Sequence, residues 1–206
     1  MTNEKRIIGA YEVLASIMIG EYEIAVCENK NAPKEEKFLC GYIENNGVFE
    51  RLTDCMVSDS YADIAAVFGE RIAEKAVEVQ KELEHIRKNV GDDAELTAKD
   101  CMPDSYENCV EGRVVVLRGD VLRPEYKRAS NQLLLCTGGF GAQPNPRGRT
   151  CFATRLYDTK RIQCRRDDIL GVLPEDKLPG WAKRGLEAIR LQSTEISLEK
   201  EERGDR

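Results

Sequence analysis

The run Gln132–Leu133–Leu134–Leu135–Cys136–Thr137–Gly138–Gly139–Phe140–Gly141 constrains the fold more than any other part of this 206-residue chain. Its apolar half has the length of a buried strand. Three glycines within four positions then call for a loop with positive φ or close backbone approach. Two readings fit: a phosphate cradle, or a structural connection between strands. A phosphate loop opens directly into a helix whose N-terminus faces the anion. Here Gln143–Pro144–Asn145–Pro146–Arg147–Gly148 follows, and its prolines favour extended or turn backbone. No Gly-Lys-Ser/Thr accompanies the glycines. The structural loop is the better reading, with strands expected over residues 150–157 and 161–165 and a turn at Asp158–Thr159–Lys160.

Periodicity organises the rest as α+β. Ile7, Ile8, Tyr11, Leu14, Ala15 and Met18 fit one face of a helix over residues 4–19, closed by Gly20. Tyr22, Ile24 and Val26 alternate with Glu21, Glu23 and Ala25, predicting a strand. Residues 38–44 and 48–53 read as two more, joined at Asn45–Asn46–Gly47, a hairpin signal. Ser58–Asp59–Ser60 offers caps for a long helix reaching residue 88. The expected N-terminal unit is therefore α-β-β-β-α over residues 1–88. A polar linker is expected over 89–112. A small antiparallel β domain closed by a helix is expected over 113–192, with the β-branched run Val114–Leu117 as a strand, and a charged tail over 193–206.

The residue inventory narrows the chemistry. The single histidine, His85, lies in the charged run Gln80–Lys81–Glu82–Leu83–Glu84–His85–Ile86–Arg87–Lys88 and reads as a solvated helix residue. That largely removes Ser-His and Cys-His hydrolase mechanisms; a carboxylate or cysteine enzyme acting on nucleic acid is the remaining enzymatic reading. The eight cysteines, at positions 27, 40, 55, 101, 109, 136, 151 and 164, include no pair with zinc-knuckle spacing. Cys27, Cys40 and Cys136 sit in apolar strand patterns, where free cysteine acts as a small hydrophobe. A metal set convergent only in space is the alternative. No cofactor is implied. Without an apolar run of membrane length or a leader-like start, a cytosolic protein with reduced thiols is expected.

Charge is unevenly distributed. The net charge of −6 combines −11 over residues 1–110 (12 basic, 23 acidic), +6 over 111–168 (12 basic, 6 acidic) and −1 beyond (7 basic, 8 acidic). Such asymmetry indicates two different surfaces. The candidate nucleic-acid-binding residues are Lys127, Arg128, Arg147, Arg149, Arg155, Arg161, Arg165 and Arg166; alternation puts Arg161 and Arg165 on one strand face, with Arg155 beside them from the neighbouring strand. Guanidinium groups suit phosphate because their planar fork makes paired contacts. Glu74, Glu78 and Glu82, on the long helix, form the candidate partner-binding row. The bland alternatives are a soluble β domain with scattered arginines and a solvated helix face.

Val114–Leu117, Arg123–Pro124–Glu125–Tyr126, Cys136–Thr137–Gly138–Gly139–Phe140–Gly141, Arg147–Gly148–Arg149 and Pro179–Gly180–Trp181–Ala182 together resemble a module of accessory proteins from conjugative elements and phages of Gram-positive gut bacteria. The resemblance spans about residues 111–190, and the glycine segment is its most specific part. Some accessory proteins of this class are anti-CRISPR or antirestriction factors. The resemblance implies a non-enzymatic inhibitor of host defence, foremost a type II anti-CRISPR engaging the Cas9 effector or its guide or target nucleic acid. A nucleic-acid-binding factor for element transfer or phage replication is the alternative. It assigns no residue roles.

Overall fold

In the first part of the chain the deciding feature is residues 24–27, which carry apolar side chains on both faces of one strand and are all buried. Such a strand needs a partner on each side and cover on both faces. The computed structural model, which describes residues 5–46, 48–91 and 93–204 with the last ten as backbone only, shows how this is met. Strands β1 (Ile7–Ile8), β2 (Tyr11–Ile19), β3 (Tyr22–Glu28), β4 (Phe38–Asn45) and β5 (Glu50–Ser58) form an antiparallel sheet in sequence order. Helix α1 (Tyr61–Val90) packs Ile64, Val67, Phe68 and Ile72 against Ile24, Val26 and Cys40. The opposite face gathers Ile8, Ala25, Cys27, Leu39 and Ile43.

The helix expected over residues 4–19 is a correction: its described part forms β1 and β2. The apolar positions fit a helical stripe, but Val13, Ala15, Ile17 and Ile19 also alternate. The two-residue turn Gly20–Glu21, with Gly20 at φ +58°, folds this run back on β3, pairing Ile19 with Tyr22. Positive φ at the first turn position suits a two-residue hairpin. Ladder pairing with the buried β3 thus outweighs local helical periodicity. Arg6 secures the arrangement by reaching Glu23 on β3 at 2.5 Å and Glu50 on β5 at 2.7 Å. The N-cap expectation for α1 holds in detail, since the Ser60 hydroxyl accepts from the Asp63 N–H at 3.3 Å.

The chain divides into two compact units between His85 and Ile86. In the second, β6 (Met102–Pro103), β7 (Val114–Leu117), β8 (Leu133–Gly138), β9 (Thr150–Arg155), β10 (Arg161–Arg165) and β11 (Ile169–Val172) form an antiparallel sheet in the order β10-β9-β8-β7-β11-β6. A one-turn helix, α2 (Ala129–Gln132), leads into β8. Helix α3 (Gly180–Gly204) lays Trp181, Ala182, Leu186 and Ile189 on Val114, Val116, Leu133 and Leu135. The other face holds Val110, Val115, Leu134, Cys136, Ala142, Cys151 and Ala153. Among the described residues, no helix is long and apolar enough to cross a membrane.

The linker boundary differs from expectation. The segment read as a linker, residues 89–112, belongs to the second unit. Its polar residues are anchors: Asp93 accepts from the Ser130 N–H at 2.6 Å and hydroxyl at 2.7 Å, and Val110 is buried. The charged tail lies on α3, which continues through residues 193–204; residues 205 and 206 lie outside the described ones. Nothing between Gly185 and Gly204 breaks a helix, and Glu, Leu, Lys and Arg favour one. Ser193 and Thr194 donate back to the carbonyls of Ile189 and Arg190, so they do not interrupt it.

Gln132 tests how firmly the segment is attached. It is fully buried; its amide donates to the carbonyls of Leu96 (3.0 Å) and Leu117 (2.9 Å) and accepts from the Leu96 N–H (2.7 Å). Gln132→Leu leaves these groups without a partner and is expected to cost about 1–3 kcal/mol. Urea denaturation followed by Trp181, the sole tryptophan, measures the loss. Proteolysis should then enter residues 93–103 earlier than in wild type; an unchanged midpoint and cleavage pattern would show the attachment to be incidental.

Candidate functional site

The glycine loop is built for close backbone approach. A Cβ on Gly139 (φ +104°) would lie 2.5 Å from the Thr150 carbonyl oxygen, and one on Gly141 would lie 2.6 Å from that of Arg149. The loop therefore seats itself against the start of β9, and a three-residue turn, Phe140–Ala142, follows in place of a full helix. This geometry belongs to a strand connection.

Beyond the loop, the β9–β10 ladder sets side-chain direction. Thr154 pairs with Arg161, Phe152 with Gln163 and Thr150 with Arg165. Because side chains alternate, these six share one face, while Cys151, Ala153, Ile162 and Cys164 share the other. The first face continues the surface that α3 covers further along the sheet. Where that cover ends, a groove of about 460 Å³ opens, lined from the sheet by Thr137, Phe152, Thr154, Arg161 and Gln163 and from α3 by Ile189, Gln192 and Ser193. Phe152 is 47% exposed. The Thr137 hydroxyl donates to the Phe152 carbonyl at 3.3 Å.

Of the predicted basic residues, Arg161 lines the groove, and Arg165 follows on the same exposed face. Asp167 accepts from Arg165 at 2.7 Å and lies 3.5 Å from Arg149. The Arg165 hydrogen bond holds the Asp167 carboxyl below its ordinary range, so one charge of this arginine pair is balanced at neutral pH. Arg147 is exposed on its loop; Lys127 and Arg128 are half-buried, with Arg128 donating to the Glu125 carbonyl at 3.2 Å.

Two members of the set have other work. Arg155 is on the opposite parity from Arg161 and binds Asn131 at 2.8 Å and Asp158 at 2.9 Å. Its placement beside Arg161 and Arg165 is thereby corrected: the ladder register pairs Arg161 with Thr154. Arg166 has no exposed side-chain surface. Its Nε and Nη2 grip both oxygens of Asp104 at 2.7 and 2.9 Å, and it also donates to the carbonyls of Ser105, Asn108 and Gly141. A buried guanidinium with its donors so engaged is a structural pin, and nucleic acid has no access to it.

In the first unit Glu74, Glu78 and Glu82 are all exposed, four residues apart on α1. Lys75 binds Glu78 at 2.9 Å, tempering the row at its centre. Cys136 and Cys164 behave as apolar residues: burial pushes Cys136 up to about 11 and Cys164 up to about 12, so both stay protonated. Among the described residues, no group of three or more His, Cys, Asp or Glu is placed to hold a metal ion.

Sequence reasoning missed the groove. Its one local signal is Phe152, an aromatic between Thr150 and Thr154 on the polar parity of β9. The wall from α3 is a tertiary feature with no local signature. No protein-family model matches the chain, and comparison with curated proteins and with solved structures finds no match.

The two classes of arginine separate in a stability measurement. Arg166→Gln strands the Asp104 carboxylate in the interior and is expected to cost about 3–5 kcal/mol. Arg161→Gln, at an exposed position, is expected to stay within about 0.5 kcal/mol of wild type. Urea midpoints for the two variants check this, and equal losses would contradict the assignment.

Proposed function

We propose that this chain is a non-enzymatic nucleic-acid-binding protein, an accessory factor of a mobile element, with the open β9–β10 face as its contact surface. The observation that carries the reading is the placement of Arg161 and Arg165 on the face of the exposed Phe152 ring, with Arg149 near Arg165 through their shared Asp167. Arginines on an open sheet attract phosphate, and an accessible ring supplies a surface for a base. The residues from 111 to 168 carry +6 within a chain of −6, so attraction is local to this unit.

A second reading, inhibition of a type II Cas9 effector, draws on a different observation. Glu74, Glu78 and Glu82 present exposed carboxylates about one helical turn apart, in a unit with 9 basic and 17 acidic residues. Such a row is suited to occupying a basic nucleic-acid channel.

Fluorescence anisotropy with labelled DNA, between about 50 and 200 mM salt, tests the first reading. Wild type should bind with affinity falling steeply as salt rises. Arg161→Glu with Arg165→Glu should weaken binding and flatten the slope by about two counterions. No binding at low salt would remove this reading. Cas9 cleavage assays test the second: wild type should inhibit, and Glu74→Lys with Glu78→Lys and Glu82→Lys should abolish inhibition while leaving DNA binding intact. Unaffected cleavage across several effectors would remove it.

A further inference from the structure

The groove's shape and chemistry say which form of nucleic acid this face takes. At about 460 Å³ it is in the range of small-molecule pockets. A duplex keeps its bases stacked inside, so only an unstacked base enters such a concavity. On the floor is the half-exposed ring of Phe152, flanked in the ladder by Thr154 and Gln163. Gln163 from the sheet and Gln192 from α3 bring one amide to each side. Each amide offers both donors and an acceptor, which the edge of a base requires. Among the described residues that line it none is acidic, and Arg161 supplies a cation at the same site.

The strand register adds a second feature. The Arg155 N–H donates to the Lys160 carbonyl, and the Arg166 N–H to that of Arg149. Antiparallel ladders alternate bonded and non-bonded pairs, so Arg161 and Gln163 fall in non-bonded pairs. Their main-chain N–H and C=O groups point away from β9 along the sheet's outer edge, where β10 is the last strand. The rim beside the ring therefore carries main-chain donors and acceptors as well as side chains.

We propose that the groove seats one unstacked nucleobase of a single-stranded nucleic acid on the Phe152 ring, with Gln163 and Gln192 reading its edge and Arg161 taking the adjoining phosphate. The proposal rests on the nucleic-acid reading above and narrows it to single strands.

The test uses the full chain and labelled oligomers of about 12 nucleotides, a length within the range one small domain covers: oligo-dT, oligo-rU, an abasic strand of equal charge, and a duplex. Wild type should bind oligo-dT or oligo-rU at least about tenfold more tightly than the abasic strand, since stacking of one base is worth that much. Phe152→Leu keeps an apolar side chain without a stacking face. It should weaken binding of the intact strand about tenfold and leave the abasic strand unaffected, whereas Phe152→Tyr should stay within about twofold of wild type. Unchanged thermal melting of both variants, expected at a half-exposed position, assigns the loss to stacking. Preference between oligo-dT and oligo-rU identifies the sugar, and either supports the seat. Equal binding of intact and abasic strands, or of duplex and single strand, would overturn it. If Arg161→Glu with Arg165→Glu weakens binding and Phe152→Leu does not, the interface stands without a base seat. If no oligomer binds, both readings fall together.

Discussion

The second unit depends on one buried charge pair, Arg166 with Asp104. A guanidinium removed from water is costly unless its donors are satisfied and its charge is matched. Here the match comes from Asp104, and the remaining bonds come from carbonyls at positions 105, 108, 141 and 142. Three segments with no ladder between them thus converge on a single side chain: the 104–108 loop, the glycine loop and the end of β10. The Arg166 N–H adds a bond to the Arg149 carbonyl at 2.7 Å. The glycine loop then lies against β9 at distances that only Gly139 and Gly141 allow. The two features constrain each other, because Arg166 takes its acceptors from the loop that Gly139 and Gly141 bring against β9.

The pin also decides which way the neighbouring arginines face. Adjacent strand residues point to opposite sides. With Arg166 held inward, Arg165 is sent outward, and Gln163 and Arg161 follow it at two-residue steps. The open face of β10 is in this sense a consequence of the buried pair. The same residue type therefore serves opposite ends within two positions, and environment alone separates the roles: Arg166 has a dedicated buried carboxylate, while Arg165 shares the exposed Asp167 with Arg149.

Much of this fold can be read from the chain where one period dominates. Residues 22–28, 38–45 and 114–117 form the expected strands, Ser60 caps the expected helix, and Asp168 caps the turn after β10 by accepting from the Arg165 N–H at 3.0 Å. Reading fails where two periods coexist, as in residues 7–19, whose apolar positions satisfy both a helix and a strand until β3 is present to pair with. It fails again at residues 89–112, where polarity suggests solvent but Asp93 and Asp104 are polar because they meet buried donors. Charge counting has the same blind spot: Arg155 and Arg166 add to the basic total of the segment, yet their partners are 3 and 62 residues away, and the distant one has no local trace.

Packing accounts poorly for the exposed ring in the groove. A side chain contributes to stability in proportion to the apolar area it withdraws from water, and Phe152 leaves nearly half of its surface wet. An aromatic next to an edge strand also invites pairing with other chains. The edge itself carries Arg161 and Arg165, and charges of this kind disfavour strand addition by copies of the same chain. The same charges that repel a second basic edge attract a polyanion. With an aromatic surface beneath them and amides on either side, these charges suit the ligand proposed above, which brings phosphate and an exposed base together.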